Sequence, residues 1–337
     1  MGGPGVAMQL SQIPYISYVP ADGRVLLFQP WYDVREGEWH LYAQIAEGDF
    51  IRMQVAGYSA GLYYAAGPAD SMDLELRLAT LVAQHLSFPG VAPALYSLVD
   101  DLNLMCASLE KLRIFWTLRK SNGASTFLVE SELEYLFAQT RAMFDVLQKL
   151  AKSAARLLQT PDGRNAIATL PDSFASVALS GEEPRTIAEL QARFSLPEPL
   201  AAFYVSHALR FLRIRAIRVG IEHHGKRVPT VFETERGFGV STKGSDSWAV
   251  LEVWTTHTLL PNSIGSVKAL ATFLARSFLE ALDDFEAALR HIIDPRLLPL
   301  PVSAGNKLYL RNPLIAHLSQ LPASTDSAWE PAEVAPS

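Results

Sequence analysis

The sequence predicts a mainly α protein, a helical bundle carrying a short β-rich amino-terminal region and a small β-hairpin or meander inserted before the last helix. Three observations point there. Long runs place apolar residues three and four apart, the repeat of one helix face. The first 66 residues are instead short Tyr-, Val- and Gly-rich runs between turns. The 337 residues are 49% hydrophobic and 19% charged, the balance of a folded globular chain with ample length for a core.

Within residues 1–66, RVLLF, HLYAQI and FIRMQV read as strands. Helical periodicity begins in LELRLATLVAQHL, Leu74 to Leu86, and SFPG signals its stop. It resumes from about Pro93 to Lys120, breaks at Ser121-Asn122-Gly123, and returns from about Phe127 to Leu158. Two long helices with so short a connection predict an antiparallel hairpin. Phe115, Trp116, Tyr135, Phe137 and Phe144 are expected in its core, as is the single cysteine, Cys106, in LNLMCASL.

TIAELQARF predicts a short helix, and the Pro-rich LPEP a boundary before a third long helix from about Glu198 to His224. VPTVFET, GFGVST and WAVLEVW predict three short strands between Gly-containing turns. Asn262 or Ser263 is expected to cap a final helix from about Ile264 to Ile293, ended by Asp294-Pro295. The expected organisation is a β-rich region over 1–66, a helical bundle over 67–320 and a mobile tail over 321–337.

Composition narrows the function. A net charge of −6 excludes a broadly basic nucleic-acid coat, so any RNA contact must be local. One cysteine excludes an internal disulfide and a Cys-based zinc cluster, and the eight histidines show no HxxxH or HExxH spacing. No metal and no cofactor is expected; GxGxxG, Walker A and GxSxG motifs are missing. Apolar runs are interrupted by charge well short of the roughly 20 residues that cross a membrane, and the amino terminus lacks a basic region followed by an apolar run. A soluble, cytoplasmic protein with no membrane association is expected.

One stretch carries reaction chemistry. FLRIRAIRVGIEHHG, Phe211 to Gly225, sets Arg218 ahead of His223 and His224 at the end of the third long helix. A guanidinium holds phosphate charge, and an imidazole moves a proton near neutral pH. The last-turn position favours imidazolium through the helix dipole, while Glu222, four residues after Arg218, is positioned for an ion pair on a solvated face. At about 100° per residue, Arg218 and His223 stand about 140° apart around the helix. Convergence on one phosphate then needs a reaching arginine or the same helix end from a second chain. Arg213, Arg215, Lys226 and Arg227 make this the most basic local composition in the chain, suited to a phosphate backbone or, with Glu222, Glu233 and Glu235, to an ordinary charged surface.

Two long antiparallel helices followed by a helix ending Arg218-Val-Gly-Ile-Glu-His223-His224 resemble the HEPN superfamily of helical domains, whose motif spaces Arg and His by four to six residues. The resemblance covers about residues 95–295. It implies a metal-independent endoribonuclease working as a homodimer. Arg218 would stabilise charge on phosphorus, His223 or His224 would move protons, and Arg215, Lys226 and Arg227 would bind substrate. The product implied is a 2′,3′-cyclic phosphate. In active members the residue after the motif arginine is usually polar, and here it is Val219. Members with altered motifs resemble non-catalytic modules that bind a nucleotide or protein partner, and a structural helical dimerisation protein is a further alternative.

A second match, Arg311-Asn312-Pro313-Leu314-Ile315-Ala316-His317, follows the strand-like KLYL. Pro313 disfavours a helix there, and a structural turn is expected.

Overall fold

Helix order follows from where apolar spacing is unbroken, and strand order from where it alternates. The computed structural model describes residues 7–9, 28–33, 38–46, 49–54, 61–85, 88–121, 123–155, 169–224, 228–243, 248, 251–292, 307–312, 314–319, 321 and 329–330. The chain opens with β1 (Ala7–Gln9), β2 (Phe28–Asp33), β3 (Glu38–Ala46), β4 (Asp49–Gln54), β5 (Gly61–Ala65) and β6 (Leu74–Glu75). Next come α1 (Arg77–His85), α2 (Phe88–Leu118), a 3-10 turn (Arg119–Ser121), α3 (Ser125–Ala155) and α4 (Phe174–Ala178). The hairpin of β7 (Leu179–Ser180) and β8 (Glu183–Pro184) precedes α5 (Ile187–Phe194) and α6 (Glu198–His224). The last elements are β9 (Val231–Thr234), β10 (Gly237–Ser241), β11 (Leu259–Leu260), β12 (Ile264–Ser266), α7 (Val267–Ile292), β13 (Lys307–Arg311) and α8 (Ala316–Ser319). The fold is mainly helical, with small antiparallel sheets.

Two compact units divide the chain, one of residues 1–88 with 294–320, the other of 89–293 with 321–337. The β-rich unit thus takes more than the first 66 residues. The reason is β13, which pairs antiparallel with both β5 and β6 and so returns late sequence to the first unit. Its Leu308 carbonyl accepts from Leu76 N–H at 2.9 Å, and its N–H donates to Thr80 Oγ1 at 2.9 Å. Leu76, Leu78, Ala79, Leu81 and Leu310 fill the space behind these bonds. A second sheet in the same unit has the order β1-β4-β3-β2. Of the RVLLF expected as a strand, only Phe28 belongs to β2, and Arg24 to Leu27 lie outside the described residues.

In the second unit the expected hairpin is present. Lys111 Nζ meets Glu132 at 3.2 Å, and Gln139 Nε2 donates to the Asp101 carbonyl at 2.8 Å, so partners run in opposite directions along α2 and α3. Val129, Leu133, Leu136, Phe137, Phe144, Leu147 and Ala151 form the buried stripe of α3, spaced as one helix face. Trp116, Phe137 and Phe144 are buried as expected, and so is Cys106. Tyr135 is not; it stands exposed beside the Lys111 ammonium, 5.4 Å from its ring centre.

Helix α6 runs antiparallel to both α3 and α7. Tyr204 Oη donates to Gln148 Oε1 on α3 at 2.6 Å, while Phe203 packs on Phe285 of α7, and partner numbers fall as α6 advances. Phe144, Phe174, Phe203, Phe211 and Phe278 form the aromatic centre, with mostly tilted or edge-on rings. Helix α5 starts in a full capping box, in which Thr186 Oγ1 accepts from Glu189 N–H and the Glu189 carboxylate accepts from Thr186 N–H.

The insertion before α7 is a four-stranded sheet of order β11-β12-β10-β9. WAVLEVW contributes no strand among its described residues. Glu252 has φ 54°, the Leu251 N–H returns to Trp248 O, and Trp248, Leu251 and Val253 are all buried. A left-handed residue and a bond closing three residues back do not fit an extended backbone, so the run is a packed turn rather than a strand. Helix α7 starts three residues later than Ile264, because Ile264–Ser266 pair with β10. Its first turn is capped by Ser266, whose Oγ accepts from Ala269 N–H at 3.1 Å; Asn262 and Ser263 sit left-handed at φ 66° and 61°.

Part of the expected mobile tail is anchored. Trp329 is buried, donates through Nε1 to His257 O at 2.9 Å and carries the Arg236 guanidinium over its ring, while Glu330 meets Lys268 at 3.3 Å.

Candidate functional site

The candidate motif lies on the last turns of α6, which runs unbroken from Glu198 to His224. Ile214, Ile217 and Gly220 turn inward and are buried, leaving Arg215, Arg218 and Val219 half-buried. The backbone brings Arg215, Arg218, His223 and His224 onto one helix end. His223 stands five positions after Arg218, with four residues between them, an axial rise of about 7.5 Å. The side chains of Glu222, His223 and His224 lie outside the described residues, as do Gly225, Lys226 and Arg227 entirely.

Upstream, the arginines of α6 are engaged in ion pairs. Arg210 meets Glu280 of α7 at 2.5 Å, and Arg276 shares the same carboxylate at 3.3 Å. Arg213 meets Glu252 at 2.9 Å. The basic composition read along this helix is therefore partly balanced by carboxylates from distant sequence. Being part-exposed, these pairs are each worth at most about 1 kcal/mol, but they lower the positive potential that a phosphate would meet.

Sequence reasoning passed over His207, one of several scattered histidines. Its Nε2 lies 2.9 Å from Asp284 Oδ2 on α7, and the histidine side chain is 5% exposed against 60% for the aspartate. Phe144 and Phe203 flank the ring. Burial is the main cause holding its pKa below the ordinary imidazole value; the Asp284 carboxylate opposes that shift, and Arg210 reinforces it. The arrangement is a neutral imidazole with its proton on Nε2, donating to an aspartate that also reaches solvent. Nδ1 is buried without a hydrogen-bond partner among the described residues. Spacing along either helix gives no sign of this pair, since it depends on how α6 and α7 are aligned.

The second Arg-to-His match is a structural turn, as expected. Arg311 grips Asp73 with two bonds, Nε to Oδ1 at 2.7 Å and Nη2 to Oδ2 at 2.6 Å. Asn312 Oδ1 accepts from Leu314 N–H at 2.8 Å, and its carbonyl from Ile315 N–H at 2.9 Å.

Among the described residues no three His, Cys, Asp or Glu side chains gather as a metal site, and no helix is long and apolar enough to cross a membrane. No family model, curated protein or solved structure matches this chain.

Proposed function

We propose that this chain is a HEPN-like, metal-independent endoribonuclease, cytoplasmic and homodimeric, with Arg218, His223 and His224 at a shared cleft. The observation that carries the reading is α6. It is one continuous helix from Glu198 to His224, placing the motif at a helix end in a bundle that also holds the antiparallel α2 and α3 hairpin. In this reading His223 or His224 takes the proton of a ribose 2′-hydroxyl. The 2′-oxygen attacks phosphorus, Arg218 balances the developing charge, and the 5′-oxygen leaves with a proton, giving a 2′,3′-cyclic phosphate. Arg215, Lys226 and Arg227 would hold flanking phosphates.

The test is incubation of the purified protein with mixed RNA in chelator, scoring cyclic-phosphate ends. Wild-type cleavage lost in Arg218→Ala and His223→Ala supports the reading; no cleavage by wild type at high enzyme concentration rejects it.

A second reading is a non-catalytic module that binds a nucleotide or protein partner, or a structural dimerisation protein. Val219 favours it, together with the engagement of Arg210 and Arg213 by Glu280 and Glu252. RNA or nucleotide binding without cleavage is the outcome expected of the module.

A further inference from the structure

Helix α2 is apolar on both sides. Leu95, Leu98, Leu102, Met105 and Cys106 are buried within the unit, as the hairpin requires. Yet Tyr96, Leu104, Ile114 and Leu118 on the same helix are 47%, 46%, 36% and 48% exposed. Large apolar side chains left exposed along one helix, among charged ones, mark an interaction surface. On α3, Tyr135 stands beside Lys111 of this helix, and Phe127 in the first turn is 69% exposed.

The spacing of the outward residues specifies the kind of partner. Positions 100, 104, 107, 111, 114 and 118 alternate steps of four and three, the repeat by which one helix packs along another. All are exposed except the half-buried Ala107. From Asp100 to Leu118 this seam is about 27 Å long, enough for a helix-on-helix contact over its length.

We infer that this face of α2 docks the same face of a second copy of the chain, antiparallel across a two-fold axis. The charges on the seam favour that occupant. With the axis between residues 105 and 106, Asp100 lies opposite the second copy's Lys111, and the pair recurs on the other side of the axis. Leu104 then packs next to the axis, and Tyr96 lies opposite the second copy's Phe115. Lys111 already meets Glu132 within its own chain and has donors to share. The inference rests on the homodimer of the proposed reading and names the face that forms it.

The test is molar mass by light scattering over a micromolar concentration series, on wild type and on Leu104→Glu and Leu118→Glu. Both positions are solvent-exposed, so the far-ultraviolet circular dichroism of the folded chain should stay unchanged, while Tm falls only as far as loss of the dimer requires. The expected result is a wild-type mass of two chains, with either variant raising the dimer Kd at least about tenfold. Asp100→Lys, which sets lysine against lysine, should raise Kd several-fold and do so less at high salt. A monomeric wild type overturns the inference, whether or not other proteins bind it. So does a dimer indifferent to both glutamates, and a Kd unmoved by Asp100→Lys overturns the register. A dimer that cleaves RNA and ignores both glutamates overturns this face and leaves the ribonuclease reading standing, whereas a dimer that Leu104→Glu dissociates but that never cleaves RNA overturns only the ribonuclease reading.

Discussion

His207 on α6 donates from Nε2 to Oδ2 of Asp284 on α7 across 2.9 Å, joining a buried ring to a solvent-facing carboxylate. The groups around the imidazole are Asp284 and Glu280 from α7, Arg210 from α6 and the phenyl rings of Phe144 and Phe203. A second proton would go to Nδ1, which is buried without an acceptor among the described residues. The folded-state pKa is therefore lowered, and the unfolded chain takes up the proton first as pH falls. Stability should be full above the ordinary imidazole value of about 6.5 and be lost progressively below it, until the lower folded pKa is passed. Urea titrations between neutral and mildly acidic pH check this, with His207→Gln flattening that part of the profile. Asp284→Asn, which removes the carboxylate that raises the pKa, should push the histidine's titration lower still.

Asp73 and Arg311 form the most enclosed ion pair for which both side chains are described, at 2% and 12% exposed. Removing one partner leaves a charge with little water to replace it. Arg311→Ala should destabilise the first unit by about 3–5 kcal/mol, and Arg311→Lys should recover only part of that because an ammonium cannot reproduce the two-pronged bond. Chemical denaturation followed by circular dichroism provides the measurement.

Tyr204 is fully buried with its hydroxyl on Gln148, whose Nε2 in turn donates to Pro171 O at 2.8 Å. Tyr204→Phe keeps the ring and deletes the donor, leaving Gln148 Oε1 buried without it. A loss of about 1–3 kcal/mol is expected. The double variant Tyr204→Phe/Gln148→Leu should lose less than the sum of the two single changes, because the orphaned acceptor is gone.

Gly265 of β12 lies against the Trp254 ring, where a Cβ has no room, and Trp254 Nε1 donates to Ser266 O at 3.0 Å while its ring stacks on Trp248. Gly265→Ala must displace that tryptophan. A loss on the order of 1–3 kcal/mol and an altered tryptophan emission spectrum are expected, with wild-type emission and stability the opposing result.

Cys106 is fully buried, and burial pushes its thiol up to about 12. Little thiolate exists at neutral pH, and reagents cannot reach it. A thiol reagent should leave the native protein unmodified and label one cysteine per chain in denaturant.

The helices were legible where local rules act alone. Thr186 and Glu189 announce the start of α5 within four residues, and Pro197 through His224 carries the pattern of α6 to its end. WAVLEVW was misleading because six apolar residues in seven suit a strand and a buried turn equally, and the left-handed Glu252 is not written in its neighbours. Arg218, His223 and His224 were legible as one helix end. The pairing of Arg210 and Arg213 with Glu280 and Glu252 was not, since those carboxylates lie 70 and 39 residues away in sequence.

The sequence by itself determined the mainly helical class, the α2 and α3 hairpin, the extent of α6 and the burial of Cys106. Each depends on periodicity, caps and breaks that operate within a few residues. Only the tertiary structure decided that β13 closes a sheet with β5 and β6, that Trp329 is anchored, that His207 meets Asp284, and that one face of α2 stays open to solvent. Such pairings depend on the register between elements far apart in the chain, fixed by packing of whole helices and strands against one another.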